Sequence, residues 1–242
     1  MSALESFQLH LTSQNADKVN NNNNCDVEFY LPVIEIPSQF HIYVSVQHAV
    51  IPFTFYNVNS SNNILNYSVN SISYQLIITQ GNYNVNTMKA FLSANMPGFT
   101  ITYNNITNQF TFVHSSYDFS FSSTSTCFSL IGLLSQTNSS SSRTLVPNRA
   151  VNLAPIRCIC VMTNLKTFNI DKTQVNNNNT ICSIPIITQP YSIITFQNQN
   201  NFRVNTYTNT ISTLAIKLMD QTGRLLDLNG ANWSMTLQFD VE

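Results

Sequence analysis

Charge is what this sequence has least of. Its ten Lys+Arg and eleven Asp+Glu make up 9% of the chain, against about 25% in an ordinary globular domain. A formal net charge of −1 leaves no basic surface to neutralise phosphates, which excludes autonomous nucleic-acid binding. Glycine is also scarce, at five residues, and none of them forms a phosphate-cradling loop or a nucleophile elbow. No apolar run approaches the ~18 residues needed to cross a bilayer, so no membrane span is expected. The stretch from Met1 to His10 lacks a basic segment followed by an apolar one and does not read as a secretory leader. Synthesis in the cytosol or nucleus is the expectation.

The residues that could carry chemistry are few and scattered. His10, His41, His48 and His114 lie far apart. Asp26, Glu28 and Glu35 cluster on or beside one edge-like strand and read as a solvated rim. Of five cysteines, Cys25, Cys127, Cys158, Cys160 and Cys182, only Cys158 and Cys160 are close. Two residues apart in a strand, they share a face. The functional reading is half a metal site or a redox pair, but no second Cys pair or Cys/His pair has zinc-ligand spacing. Two buried thiols in a reducing compartment is the simpler reading. Asn-X-Ser/Thr sequons, among them those beginning at Asn59, Asn66, Asn105, Asn138 and Asn232, are what chance provides in a chain so rich in Asn, Ser and Thr. No catalytic, cofactor-binding or metal residue is expected, no cofactor, and no enzyme.

What replaces charge is amide and hydroxyl. Asn alone is roughly one residue in seven, several-fold above the norm. Hydrophobic residues at 43% and aromatics at 11% argue against disorder. Near-zero net charge suits a subunit of an assembly better than a concentrated free monomer.

Periodicity then divides the chain. Residues 1–24 read as an N-terminal arm, with one alternating segment, Phe7 to Leu11, and a flexible joint at Asn20–Asn24. Residues 25–242 read as one domain of short alternating strands. In the first of these, Val27 to Ile36, Pro32 suggests an edge or a bulge. Roughly residues 62–150 read as a helix-containing insertion. There Asn84 is placed to cap a helix carrying Val85, Met88 and Leu92, which Pro97-Gly98 stops. Ser125–Leu134 is a second helix candidate, and residues 135–149 and the tract Asn176–Asn179 read as exposed loops. Asn229-Gly230 signals a hairpin turn with positive φ. Trp233 to Val241 alternates strictly and is expected to be central to the sandwich, with its large apolar residues buried. The fold class expected is all-β, a single eight-stranded antiparallel jelly-roll sandwich with the insertion.

Four segments resemble those of a known family. Ile51-Pro-Phe-Thr-Phe-Tyr-Asn-Val-Asn59 and Thr79-Gln-Gly-Asn-Tyr-Asn-Val-Asn-Thr-Met88 are similar to the "IPxxFYNIN" and "xGNYNxxxL" segments of capsid proteins of virophages and polinton-like viruses. Ser129-Leu-Ile-Gly-Leu-Leu134 resembles their "LLGF" segment, with Ser135 following the leucine pair here. Asp220 to Leu237 resembles their C-terminal "D-x-x-G…LDLNG-x-xWSxTL" strand pair. Order and spacing hold over roughly residues 40–240. The resemblance implies a minor capsid protein with a jelly-roll fold, the penton subunit that forms homopentamers at icosahedral vertices. The partners it implies are further copies of the chain, the major capsid protein and a host-surface ligand. The implied location is the virion, after synthesis in the host cytoplasm or viral factory. The alternative is a carbohydrate-binding or receptor-binding β-sandwich module, since jelly rolls also host lectins.

Overall fold

The computed structural model describes residues 6–37, 39–167 and 179–242. Met1–Phe55 together with Ile156–Glu242 forms one compact unit, and Tyr56–Pro155 forms a second. The first unit begins with β1 (Phe7–Thr12), β2 (Lys18–Val19), β3 (Asp26–Glu35) and β4 (Ile42–Pro52). The second holds β5 (Ile64–Val69), β6 (Ile72–Ile77), α1 (Val85–Asn95), β7 (Phe99–Asn104), β8 (Gln109–His114) and β9 (Phe119–Phe121), then α2 (Phe128–Ile131), β10 (Asn138–Ser139) and β11 (Thr144–Leu145). The chain returns to the first unit through β12 (Cys158–Thr163), β13 (Thr180–Pro185), β14 (Ile193–Gln197), β15 (Val204–Thr206), β16 (Thr210–Asp220) and β17 (Ser234–Val241).

The first unit is all-β and antiparallel. One sheet runs β1-β17-β4-β14, with β15 further along the same edge of β4. The other runs β13-β12-β16-β3-β2. Alternation sends Val44, Val46, Leu237 and Phe239 from the first sheet, and Val27, Val161, Leu214 and Ile216 from the second, into one shared core. β17 sits between β1 and β4, and its strict alternation buries Met235, Leu237 and Phe239 as expected, with Trp233 only 1% exposed. Pro32 lies where β3 and β16 change register between Ile211 and Thr213, so its missing N–H falls at a bulge.

Three sequence expectations are corrected in this unit. The described part of the expected arm, residues 6–24, is not separate: β1 pairs along its whole length with β17, from Phe7 opposite Phe239 to Thr12 opposite Ser234. Its apolar stripe meets that of β17. Leu11 is buried in the shared core, and Phe7 stacks on Phe239 at 4.9 Å between ring centroids. Without β1, the ladder groups of β17 on that side would be open. The Asn20–Asn24 tract is an ordered turn rather than a flexible joint. Asn21 and Asn22 take φ of 53° and 54°, a conformation Asn tolerates. The side chain of Asn23 donates to Leu226 O at 2.8 Å and that of Asn24 to Asn232 Oδ1 at 2.9 Å. Finally, Asn229 and Gly230 do have positive φ, 51° and 80°, but they make no hairpin. β16 and β17 belong to different sheets, and the turn lies in the crossover between them.

The second unit has its own core. Its sheets run β10-β9-β5-β6 and β11-β8-β7, and Met88 and Leu92 of α1 pack with Phe99, Phe110, Phe112 and Phe121. Asn84 Oδ1 accepts the N–H groups of Asn86 and Thr87 at 3.0 Å each, and Thr87 Oγ1 accepts Asn84 N–H at 3.0 Å. That reciprocal box starts the helix where the sequence places it. The second helix candidate shrinks to the single turn α2. Gly132 ends it at φ 80°, where a Cβ would collide with Arg149 O. Residues 135–149 include two short strands and a tight turn rather than one loose loop. Of the tract Asn176–Asn179, all but the last residue lies outside the described residues.

Candidate functional site

The residues singled out for chemistry are occupied with folding. Asp26 accepts from Lys217 Nζ at 3.1 Å and Asn20 Nδ2 at 3.0 Å, and Glu28 accepts from Lys18 Nζ at 2.7 Å and Asn20 Nδ2 at 3.3 Å. The Lys18 hydrogen bond holds the Glu28 carboxyl below the usual range and raises Lys18 in return. Glu35 pairs with Thr210 at the far end of β3. These carboxylates are thus two ion pairs and a strand end, with no shared proton.

Cys158, Cys160 and Cys182 share the paired strands β12 and β13, while Cys25 and Cys127 lie elsewhere. Burial pushes Cys25, Cys127 and Cys182 up to about 12, so they are protonated and unreactive at neutral pH. Cys160 is buried and Cys158 half-buried, opposite Ser183 and Pro185 of β13. The sheet does bring His10 and His48 to either side of Thr236, a proximity no spacing could reveal. His41 is exposed at the start of β4, and His114 lies in the second unit. Among the described residues, no group of three or more His, Cys, Asp or Glu is arranged to hold a metal ion.

The polar residues with the densest bonding belong instead to the family-like segments. In the first unit, Thr54 Oγ1 donates to Leu228 O at 2.6 Å and Asn229 Nδ2 donates to Thr54 O at 2.5 Å. The "IPxxFYNIN"-like and "LDLNG"-like segments are therefore clasped together. In the second unit Asn57, 8% exposed, uses every polar atom it has. Its Nδ2 donates to Tyr83 O at 2.7 Å and Leu153 O at 2.8 Å, its Oδ1 accepts Tyr83 N–H at 2.9 Å, and its N–H donates to Asn82 Oδ1 at 3.0 Å. Its carbonyl accepts from Asn62 Nδ2 at 2.9 Å. The first and second family-like segments are joined through this amide and through the backbone bridge between Val58 and Gly81 beside it.

Asp220 is the third such fastening. Buried at the end of β16, it accepts Thr222 N–H at 2.7 Å, Thr222 Oγ1–H at 2.6 Å, Arg224 N–H at 3.1 Å and Arg224 Nε–H at 3.0 Å. Burial opposes its charge, but the hydrogen bonds from Thr222 and Arg224 and the nearby guanidinium outweigh burial and hold the carboxyl below its ordinary range. Its role was not legible beyond the "D-x-x-G" spacing. These clusters are closed on themselves and leave no reacting atom exposed. They can hold turns in place, and they offer a substrate nothing.

Comparison with known proteins agrees with that reading of the architecture. No family model and no curated protein matches the chain. Among solved structures, the mavirus penton protein is similar at a TM-score of 0.53 and 10% identity, over 98% of this chain and 100% of that one. A chain of the Sputnik virophage structure is similar at a TM-score of 0.50 and 11% identity, over 97% of both. At these identities the likeness is one of fold.

Proposed function

We propose that the chain is a structural, non-enzymatic capsid protein, the penton subunit of a virophage-like virus. In this role it assembles as a homopentamer at icosahedral vertices and contacts the major capsid protein of the virion. The observation that carries the reading is the full-length likeness to the mavirus penton protein, end to end in both chains. The order β1-β17-β4-β14 beside β3-β16-β12-β13 supports a single jelly roll, since it is the pattern two Greek keys produce. The second unit is an insertion in the sequence of that roll, between β4 and β12.

Surface chemistry supports lateral assembly. Residues 179–202 carry no charged side chain. Along them Ile187 is 86%, Tyr191 76% and Ile193 57% exposed, beside the edge strand β14. An apolar edge without lysine or aspartate is unguarded in a free monomer and suited to burial against a neighbour. Around a five-fold axis each copy presents one flank to a different flank of the next, and uncharged amides and hydroxyls avoid like-charge repulsion there.

Co-expression with the major capsid protein of the same virus tests the assignment. Shells assembled with this chain should have filled vertices by electron microscopy, and shells assembled without it should have open ones. Exclusion of the chain from such shells would overturn the proposal. So would its incorporation on faces rather than vertices.

A further inference from the structure

We propose that one tip of the second unit is a binding site for a neutral saccharide. The inference gives a chemical identity to the host-surface ligand, and it rests on the penton reading only for its biological setting. Three turns meet at this tip: Asn70–Ser71 between β5 and β6, the segment from Ser115 to Asp118 between β8 and β9, and Ser142–Arg143 between β10 and β11. Together they line an open hollow of about 690 Å³, within the size range of small-molecule sites.

The site is held together by Asp118. Its carbonyl accepts Asn70 N–H at 3.2 Å, and its Oδ1 accepts Arg143 N–H at 2.6 Å and Ser140 Oγ–H at 3.1 Å. Arg143 Nη1 donates to Ser115 O at 2.9 Å, which fixes the guanidinium over the hollow's wall. Beneath, the buried ring of His114 accepts the N–H groups of Ser116 and Tyr117 at Nδ1, at 3.2 and 3.0 Å. Its ring lies 5.9 Å from that of Tyr117. The backbone under Tyr117 is thereby set while its side chain stays 50% exposed.

The choice of residues at this tip is not what folding alone would select. Among the described residues, ten non-glycine positions have positive φ, and six of them are Asn, the side chain that tolerates that region best. Three of the four exceptions, Ser71, Ser142 and Arg143, line this hollow. Elsewhere, Tyr191 apart, such positions are Asn, whereas here, beside Asn70, the chain keeps two hydroxyls and a guanidinium at the cost of backbone strain.

The assembled chemistry matches a polyol. Asp118 accepts from hydroxyls, Arg143 and Asn70 donate to them, and the serine hydroxyls do either. The exposed Tyr117 ring offers an apolar face to the C–H side of a pyranose. One carboxylate and one guanidinium balance each other, so the hollow favours neither an anion nor a cation and suits an uncharged sugar.

The test is a glycan array probed with the fluorescently labelled full chain. Tyr117→Ala removes the stacking face, and Arg143→Asn removes the guanidinium while keeping a residue suited to positive φ. The expected result is retention of a defined set of neutral glycans, with each variant weakened about ten-fold or more at unchanged melting temperature. Retention of no glycan by the unmodified protein, variants that bind as well as it does, or retention of sialylated or sulfated glycans alone would overturn the proposal. The oligomeric mass, measured on the same sample, separates the two readings. A pentamer that binds no glycan rejects the saccharide site alone, and a monomer that binds one rejects the penton reading alone.

Discussion

The indole Nε1 of Trp233 donates to the carbonyl of Asn24 at 2.6 Å, tying the start of the last strand to the asparagine tract across 209 positions of sequence. The same tryptophan bonds twice to Ser13, whose N–H donates to Trp233 O at 3.0 Å and whose side-chain hydroxyl accepts Trp233 N–H at 3.1 Å. Its ring meets Phe29 edge-on at 6.4 Å. The N-terminal segment and the C-terminal strand are thus one packed element.

Trp233→Ala should cost about 3–5 kcal/mol, the range for deleting a large buried aromatic. Trp233→Phe keeps most of the packing but leaves Asn24 O without its donor, for a smaller loss of about 1–3 kcal/mol. Denaturant titration followed by far-ultraviolet circular dichroism measures both. An equal loss for the two variants would mean that the hydrogen bond dominates.

Deleting residues 1–12 should abolish cooperative melting or drive aggregation, because β17 would lose its partner along six residue pairs and expose its ladder groups. An independent docking arm would give the opposite result, a truncated protein that melts as the full chain does.

Asn57→Ala removes three side-chain hydrogen bonds from a buried position. At roughly 1 kcal/mol each it should destabilise the second unit by about 3 kcal/mol. Asn57→Asp should be worse, since a carboxylate would face the carbonyls of Tyr83 and Leu153. Hydrogen exchange localises the effect: amides of residues 57–83 should lose protection before those of β17.

Asp220 makes stability depend on acid. Its carboxyl lies below its ordinary range when folded, so its contribution is complete above about pH 4 and fades as pH falls through the folded value. Asp220→Asn should remove that contribution, lowering the melting temperature at pH 7 more than at pH 2. Equal losses at both pH values would show that the charge contributes nothing beyond the side chain's shape.

Local rules read the local features well. The alternation of β17, the Asn84 cap of α1 and the bulge at Pro32 each depend on residues close in sequence, and each is where periodicity or backbone restriction places it. The misreadings share a cause, which is partners distant along the chain. Phe7, Leu9 and Leu11 look like a stray stripe until β17 is set beside them. Asn20–Asn24 looks like a flexible joint because its side chains bond near Asp26 and, some 200 positions away, to Leu226 and Asn232. Asn229-Gly230 shows its φ in sequence but not that its flanking strands enter different sheets. The tip at Asp118 was invisible for the same reason: three separate turns contribute to it, and none carries a motif.

The central claim is that this chain is a penton subunit, and the mass of the purified protein in solution tests it most directly. Native mass spectrometry should find five copies of the 27.3 kDa chain as the main species, persisting on dilution to nanomolar concentration. A monomer or dimer at micromolar concentration would contradict it.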